Sequence, residues 1–386
     1  MLDAVQKAQL THAPRLRLAF CIFSAVSICD IFSLQSFNEY TMSHPASSSV
    51  LDRKNIIITG GAGFIGSHLC ERLIAENNII CIDNFISGNQ DNIAHLLTNP
   101  NFEFINHDIS QPIDLESFPE LERFNIRSLS VQQIYNLACP TSPKEFEKYK
   151  QETLDANSLG VKNMLDLAVQ YRTQFLQASS SVIYGPRDMR QDYFNEKHEG
   201  KVLTISPRAC YDEGKRFAET SVATYQQTKN LDAKIARIFR TYGPRMRLFD
   251  GQMIPDFIVA ALDNKDLVIY GDESFRTSLV YVDDVVDALI RLMSSDLAEP
   301  VNIGGIDDYN ITDVAKKIIE LTDSKSRIEY QDSLLFMTDL GLPDISLAKE
   351  RLQWVPITRL EEGLQKAIDY AKANKSVIQK QYKGGV

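Results

Sequence analysis

The amino-acid sequence predicts an α/β protein in which a doubly wound parallel sheet is followed by a smaller C-terminal subdomain. From Lys54 onward, short apolar runs rich in Ile and Val alternate with amphipathic stretches, which is typical of β-α-β units. Beyond Tyr242 this alternation is replaced by Gly-Pro turns and shorter elements. We therefore assign 53–242 to the sheet domain and 243–373 mainly to the subdomain, with some segments returning to the sheet. Residues 374–386 are expected to form a fraying tail.

Six buried strands are expected in the first part, separated by helices long enough to cross over between parallel strands. The strands are expected at 55–59, 78–83, 102–108, 132–138, 173–179 and 233–239. The helices are expected at about 64–76, 151–171 and 207–229. In the second part we expect helices near 252–264, 312–322 and 358–373, and strands near 266–270 and 279–282.

Composition excludes several classes of protein. The chain has 386 residues, of which 44% are hydrophobic and 24% charged, as in soluble globular proteins. The 41 Lys and Arg against 51 Asp and Glu give a net charge of −10, which argues against a nucleic-acid partner. The Cys and His residues form no C-x-x-C or H-E-x-x-H pattern, so we expect no disulfide scaffold and no metal site. A cytoplasmic location follows as an expectation.

The first fifty residues differ from the rest. The apolar run 18–29, preceded by Arg15 and Arg17, is shorter than the ~20 residues that span a bilayer. It resembles the core of a signal peptide, but no small-x-small cleavage site follows. We interpret residues 1–52 as an extension outside the fold, disordered or wrongly included, with Met42 as an alternative start. Membrane association and a packed helix are the alternatives left open.

A glycine-rich turn lies between the first strand and the first helix. The run TGGAGFIGSH (59–68) has the order of a dinucleotide-binding fingerprint. Gly60 and Gly63 permit the tight turn and the approach of a pyrophosphate, and Gly66 permits close packing of helix on strand. Phe64 and Ile65 begin the helix, whose N–H groups attract anions. The alternative is that these glycines only turn a loop.

Acidic and apolar residues at the following strand ends complete the predicted cofactor site. Asp83 ends the second strand, where a carboxylate accepts hydrogen bonds from a ribose 2′-OH and repels a 2′-phosphate, so NAD is favoured over NADP. Asp108 either contacts the adenine or is a solvated turn. We assign their neighbours at the second, third and fourth strand ends to the same site: Asn84, Ile109, Leu137 and Ala138.

Tyr211 and Lys215 stand four residues apart, so they share one face of the predicted helix. A free Tyr has a pKa near 10, and a nearby ammonium favours its phenolate form. The pair could therefore supply an acid or base near neutral pH. Alone, this spacing is more often a surface feature, but the glycine-rich turn upstream favours a catalytic pair.

Together, the ordered motifs resemble the extended short-chain dehydrogenase/reductase family of NAD-dependent epimerases, dehydratases and decarboxylases. The resemblance extends from about Lys54 to Tyr370 and implies a Rossmann-type fold. Its motifs are TGGAGFIGSH (59–68), NLA (136–138), SSSVIYG (179–185), YDEGK (211–215), RTYGPR (240–245) and YVDDVV (281–286). Within the family, PRACYDEGKRFAET (207–220) and LPDISLAKERLQWVP (342–356) most resemble the UDP-glucuronate decarboxylases.

The resemblance implies roles for individual residues. Tyr211 would take the proton of a sugar 4-OH as hydride passes to NAD, Lys215 would lower the Tyr pKa, and Ser180 would hydrogen-bond the same oxygen. The product would be a transient 4-keto sugar attached to a nucleotide diphosphate, which we expect to be UDP. Residues expected to touch this substrate are Pro140, Ser181, Arg240, Arg245 and Arg276.

Four positions depart from the family pattern. The decarboxylases and 4,6-dehydratases carry Glu where this chain has Val182, and the decarboxylases carry Arg where it has Gly341. The family also has Asn in place of Arg240, and Arg in place of Thr277. Arg240 either replaces the cation lost at 277 against the diphosphate or is a solvated strand-end charge.

The departures leave the exact reaction open. The leading hypothesis is an NAD-dependent nucleotide-sugar enzyme most like a UDP-glucuronate decarboxylase, from which we expect little UDP-xylose. The first alternative is a nucleotide-sugar 4-epimerase, which needs only Ser180, Tyr211 and Lys215. An alternative of another class is a dinucleotide-binding protein with impaired chemistry. The family further implies a homodimer through the helices near 151–171 and 207–229.

Overall fold

The structure is a computed structural model that describes residues 53–142, 147–187, 193–333 and 340–384. The predicted extension 1–52 lies outside these residues. The described strands are β1 (Asn55–Thr59), β2 (Asn78–Asp83), β3 (Phe102–Asn106), β4 (Gln133–Asn136), β5 (Gln174–Ser180), β6 (Tyr193–Phe194), β7 (Ala233–Ile238), β8 (Thr241–Tyr242), β9 (Leu267–Tyr270), β10 (Arg276–Thr277), β11 (Val280–Tyr281), β12 (Val301–Ile303), β13 (Tyr309–Asn310), β14 (Ile328–Gln331) and β15 (Leu342–Pro343).

A sheet of seven parallel strands forms the centre of the described chain. Its order is β3-β2-β1-β4-β5-β7-β12, so the chain winds from β1 to one edge and then returns to build the other half. This is the predicted doubly wound α/β fold. Crossover connections of this kind place helices on both faces of the sheet.

Burial of both sheet faces explains why the strand sequences are continuous apolar runs. Successive side chains of a strand point to opposite faces. Ile56 and Ile58 of β1 accordingly contribute to one apolar cluster, whereas Ile57 lies in the cluster on the other face. The register sets Ile57 beside Ile80 of β2, which is also fully buried.

The helices cover this sheet and build the second lobe. Between the helices Lys150–Asp155 and Val161–Tyr171 the chain forms one π-helical turn, Ala156–Gly160, within the single helix predicted at 151–171. The helices are α1 (Phe64–Leu73), α2 (Ile126–Leu129), α3 (Lys150–Asp155), α4 (Val161–Tyr171), α5 (Ala209–Lys229), α6 (Met253–Leu262), α7 (Val282–Met293), α8 (Ile311–Leu321), α9 (Ser346–Leu352) and α10 (Leu360–Gly384). Among the described residues, none of these helices is long and apolar enough to cross a membrane.

A third apolar cluster belongs to the second lobe. It joins residues of α6, α8 and α10 with the short parallel pair β9 and β14. Leu364 and Ile368 of α10 are fully buried in this cluster. Other segments of the second half return to the sheet: β12 pairs with β7, and α7 contributes Val285 and Leu289 to the first cluster.

The structure corrects several boundaries. The predicted strands at 102–108 and 132–138 each end two residues earlier, at Asn106 and Asn136, because the chain turns there into the loops that face the cavity. β12 and α7 were not predicted. The last helix reaches Gly384 instead of fraying after 373, because Ile378 is buried against the second lobe.

Candidate active site

A cavity of about 790 Å³ opens at the carboxyl ends of the sheet strands. Ligands of doubly wound folds bind at this edge, where the strand order reverses. Each of six strands delivers residues to the wall, either its last residue or those that follow it. In chain order of the strands these include Gly60, Asp83, Asp108, Ala138, Ser180 and Arg240.

The glycine-rich turn has the shape that a dinucleotide requires. Gly60 has φ +67°, and a Cβ there would lie 2.8 Å from the Ala138 amide nitrogen. A Cβ on Gly66 would lie only 2.1 Å from the Gly60 carbonyl oxygen. Gly63 precedes α1 with extended backbone, and its N–H donates to the Gly60 carbonyl at 3.0 Å. Side chains are thus excluded where a pyrophosphate would approach the amides that begin α1.

Two loop amides hold the Asp83 side chain in the part of the cavity wall that contains the glycine-rich turn. We call this part the cofactor end of the cavity. Asp83 Oδ2 accepts from the Ala62 amide at 3.1 Å and its Oδ1 from the Phe85 amide at 2.8 Å. Burial raises the pKa of this carboxyl, and the loop amides oppose that shift. A carboxylate has about four lone-pair sites, so acceptors remain for ribose hydroxyls. The residues present therefore fit NAD.

The other residues assigned to the cofactor also reach the cavity wall. Asp108 is exposed, and its Oδ1 accepts from the Ser110 amide at 2.9 Å, so it forms a local turn as well as lining the cavity. The remaining members of this group in the wall are Phe64, Ile65, Asn84, Ile109, Leu137 and Ala138.

Helix α5 brings Tyr211 and Lys215 to the end of β5. The Ser180 hydroxyl hydrogen-bonds to the Tyr211 phenol. Lys215 Nζ is buried, donates to the Ala178 carbonyl at 3.0 Å and lies 5.7 Å from the centre of the Tyr211 ring. All three predicted catalytic side chains therefore lie together in the cavity wall.

The electrostatics of Tyr211 differ from the prediction. Burial raises the pKa of its phenol well above the usual value, and the nearby Cys139 thiol adds to the rise. The hydrogen bond with Ser180 and the Arg208 guanidinium act in the opposite direction. The net direction is opposite to the lowering expected from Lys215, because removing the phenolate from water outweighs the neighbouring charges.

The residues predicted to touch substrate divide into two groups. Pro140, Ser181 and Arg240 line the cavity, with the Arg240 guanidinium 5.7 Å from the Phe275 ring centre. Arg245 also lines it, with φ +64° and an ion pair to Glu71 of α1. Arg276 lies outside the wall formed by the described residues. Its Nε instead bonds Asp308 Oδ2 at 2.6 Å, because β10 pairs with β13 beside that carboxylate.

Of the two departures from the decarboxylase pattern, only Val182 is part of the cavity wall, and Gly341 follows the wall residue Leu340 in the chain. Val182 is buried and lines the wall together with Leu340. A Cβ on Gly341 would lie 2.2 Å from Cε2 of Phe194, so the aromatic ring occupies the space that a side chain at 341 needs. The wall side chains at 182 and 340 are therefore apolar.

The charged residues of the wall that were not assigned from the sequence include Arg208 and Asp250. Arg208 lines the cavity and pairs with Asp212 at 3.1 Å. Its position three residues before Tyr211 is the signal that identifies it. Asp250 is buried in the wall, where it accepts from the Gln252 amide at 3.1 Å, and burial raises its pKa to about 6. No periodicity marks Asp250, since it lies in an irregular loop.

Within the part of the chain that the structure describes, no group of three or more His, Cys, Asp and Glu side chains is placed to hold a metal ion. The free cysteines of that part include Cys139 in the cavity wall and the buried Cys70 and Cys81.

The fold and the cavity together define a Rossmann-type dinucleotide-binding enzyme. The chain belongs to the NAD dependent epimerase/dehydratase family, whose model matches residues 56–304. NAD is therefore its cofactor. UDP-glucuronic acid decarboxylase 1 of Danio rerio is 40% identical over 320 residues, which are 83% of this chain and 73% of that protein.

Solved structures agree with this assignment. UDP-glucose 4-epimerase from Thermotoga maritima, solved with UDP-glucose, has a TM-score of 0.73 and 27% identity and covers 83% of this chain and 99% of its own. UDP-glucuronic acid 4-epimerase from Bacillus cereus, solved with UDP-glucuronic acid and NAD, has a TM-score of 0.72 and 26% identity over the same shares of both chains. Proteins similar to this chain thus include both epimerases and decarboxylases.

Proposed function

We propose that this chain converts a UDP-sugar through a transient 4-keto sugar, with inversion at C4 as the net reaction. The observation that carries the proposal is the Ser180–Tyr211 hydrogen bond in the wall of the cavity that also contains the glycine-rich turn. Relatives that act on UDP-glucuronic acid and structural neighbours that bind UDP-sugars support this substrate class.

The cofactor end of the cavity binds and orients NAD. The amides that begin α1 and the close turn at Gly60 and Gly63 would hold the pyrophosphate, and Asp83 would accept from the adenosine ribose. NAD supplies a hydride acceptor that is regenerated within one turnover, so the reaction has no net oxidation.

The other end of the cavity moves the proton. In its phenolate form, which Ser180 and Lys215 favour against the effect of burial, Tyr211 Oη takes the proton of the sugar 4-OH while C4 is oxidised, and the resulting phenol returns that proton when C4 is reduced again. Ser180 Oγ hydrogen-bonds the same sugar oxygen and stabilises the phenolate. The buried Lys215 ammonium stabilises the negative charge on Tyr211 from behind, since a nearby cation favours the ionised phenol.

The apolar wall supports inversion over loss of CO₂. Decarboxylation after C4 oxidation requires groups that orient a carboxylate and supply a proton to the resulting enol. Val182 offers neither, and Gly341, which packs against the Phe194 ring, carries no cation. A carboxylate transferred to an apolar surface without a partner is strongly disfavoured.

Decarboxylation of UDP-glucuronate is the second candidate. It is favoured by the 40% identity to a decarboxylase and by Arg208, a cavity-lining cation near Tyr211 that could bind a carboxylate.

A direct assay separates the two candidates. The protein and NAD are incubated with UDP-glucuronate, UDP-glucose or UDP-galactose, and the products are analysed by chromatography and CO₂ release. We expect a C4 epimer and at most a trace of UDP-xylose. Rapid formation of UDP-xylose with stoichiometric CO₂ would establish the decarboxylase instead, and no conversion of any sugar would contradict both.

We also propose that two copies of the chain associate through α3, α4 and α5. Exposed apolar side chains on these helices and the intervening π turn support this: Leu154 is 43% exposed, Leu159 51% and Phe217 54%. Burying them against a second copy removes apolar surface from water.

A further inference from the structure

Three turns of α5 contact three consecutive residues at the carboxyl end of β5. Residues four apart on a helix lie on one face, so 211, 215 and 219 all point toward the sheet. The contacts are Tyr211 with Ser180, Lys215 Nζ with the Ala178 carbonyl at 3.0 Å, and Glu219 Oε1 with the Ser179 hydroxyl at 2.5 Å. Only the first two belong to the chemistry proposed above.

Arg237 fixes Glu219 from the neighbouring strand. Arg237 of β7 is the register partner of Ser179 of β5, so both side chains reach the same carboxylate. Its Nη2 donates to Glu219 Oε2 at 2.7 Å and its Nε to Oε1 at 3.0 Å, which is a bidentate pair. Arg237 Nη1 also donates to the Tyr184 hydroxyl at 2.9 Å.

This ion pair is almost completely removed from water. The side chains of Arg237 and Glu219 are 10% and 12% exposed, and Ser179 is buried. Buried ion pairs contribute little net stability compared with apolar residues of similar size, because both charges lose their hydration. A fixed orientation of neighbouring groups is a better explanation for such a pair, because Glu219 contacts Ser179, the residue before Ser180.

We propose that Glu219 is a positioning residue for the Ser180–Tyr211 hydrogen bond. By accepting a hydrogen bond from the Ser179 hydroxyl, Glu219 fixes the end of β5, just before Ser180, against the helix that carries Tyr211. Without that contact the end of β5 can move relative to α5, and the hydrogen bond that lowers the pKa of Tyr211 weakens. The inference rests on the proposed function, in which Tyr211 transfers the proton.

Two variants test the role without relying on one that fails to fold. Ser179→Ala removes only the hydrogen bond to Glu219 and keeps the ion pair of Glu219 with Arg237. Glu219→Gln weakens both the hydrogen bond and the ion pair. Glu213→Gln is the matched control, since Glu213 lies on the same helix and pairs more loosely with Arg216 at 3.7 Å. The assay follows reduction of bound NAD by UDP-glucose and UDP-glucuronate as a function of pH, together with KM, NAD affinity and melting temperature.

We expect both test variants to lose about ten- to hundredfold in the rate of NAD reduction, since small misplacements of reacting groups have effects of that size. KM and NAD affinity should stay near parental values. The pH of half-maximal rate should rise, because the pKa of Tyr211 rises when the Ser180 bond weakens. Glu213→Gln should match the parent throughout.

Other outcomes contradict the inference. Parental rates and pH profiles in both variants would overturn it, as would a loss of rate that follows the melting temperature with an unchanged pH profile. Tyr211→Phe in the same assay separates a failure of the proposed function from a failure of the role of Glu219. If that variant reduces NAD at the parental rate, the proposed function itself fails. If it is inactive while both test variants behave as the parent, only the role of Glu219 fails.

Discussion

Tyr211 is the residue on which the proposed chemistry depends. Replacing it with Phe removes the proton acceptor and leaves the cofactor end intact, so we expect turnover to fall by ~10²–10⁴-fold with NAD affinity nearly unchanged. Tyr225→Phe on the same helix is the control, because its hydroxyl bonds Asp166 at the surface at 2.6 Å. Parental turnover by Tyr211→Phe would exclude it as the acid–base group. Turnover and calorimetric titration of NAD provide the measurements.

Asp83 should determine the choice of dinucleotide. Because its buried carboxylate faces the cofactor end of the cavity, a 2′-phosphate there would meet like charge. We expect NAD to bind much more tightly than NADP, and Asp83→Ser to reduce that preference by at least about tenfold, or ~1.4 kcal/mol. Fluorescence titration with both dinucleotides measures the preference for NAD over NADP. Asp114→Ser, at an exposed turn, should keep the parental preference, and equal affinities in the parent would remove Asp83 from the site.

Asp250 makes a pH-dependent contribution to stability. Its pKa is raised to about 6 by burial, so the folded state holds the proton more tightly than the unfolded state does. The free energy of unfolding should therefore fall as the pH rises from about 4 through 6. Asp250→Asn removes this effect, and we expect it to be more stable than the parent at pH 7.5 by about 2 kcal/mol but close to it at pH 4.

Denaturant unfolding at both pH values checks the prediction for Asp250. Asp272 is the control with the opposite sign, because bonds from Ser274 lower its pKa. Asp272→Asn should lose a little stability at neutral pH. An Asp250→Asn variant that is less stable than the parent at pH 7.5 would contradict the assignment.

At the level of single elements, the turn between β1 and α1 allows little variation. Replacing a helical Gly with Ala usually stabilises by ~0.5–1 kcal/mol. At Gly66 the new Cβ would lie 2.1 Å from the Gly60 carbonyl, and overpacking of ~1–3 kcal/mol outweighs that gain. We expect Gly66→Ala to lower both the melting temperature and the NAD affinity.

The adjacent residue supplies the control for Gly66. Ser67→Ala removes only a local bond to the Phe64 carbonyl at 3.1 Å, so the shape of the turn should persist. If Gly66→Ala binds NAD as well as Ser67→Ala does, the close approach at this turn is not required for the cofactor.

The elements that could be predicted are those whose sequences carry their own periodicity. Ile-rich β1 and β2 were predicted with the bounds that the structure shows, because burial on both faces makes a strand continuously apolar. β12 was missed, since three residues are too short for a pattern. The π turn Ala156–Gly160 was also missed, because its residues are compatible with an ordinary helix.

Residues of the candidate site were predictable where they belong to a local sequence motif. Motifs at fixed spacing identified the glycine-rich turn, Asp83 and the pair Tyr211 and Lys215, whose proximity depends only on local structure. Asp250 depends on loop geometry, and the contact of Glu219 with Ser179 depends on how a helix packs on a strand. Arg276 was assigned to the substrate from its place in the second half of the chain, beside the family's arginine position at 277, but its side chain is directed by the pairing of β10 with β13.

For the whole molecule, association of two copies is the main expectation beyond the single chain. Phe217 is 54% exposed on α5, and Phe217→Glu would place a charge in the proposed interface. We expect the parent to sediment as a dimer and this variant as a monomer in analytical ultracentrifugation. Tyr330→Glu, on β14 of the second lobe and 39% exposed, should remain dimeric. A monomeric parent at micromolar concentration would contradict the proposal.

The central claim is that hydride leaves C4 of a UDP-sugar and returns to the same carbon within one catalytic cycle. The direct test is to incubate the protein and NAD with UDP-glucose deuterated at C4 and to determine the configuration and deuterium content of C4 by NMR. We predict inverted sugar that retains its deuterium at C4, and no conversion by Tyr211→Phe. Loss of the deuterium to solvent, or a product whose C4 is never oxidised, would contradict the account.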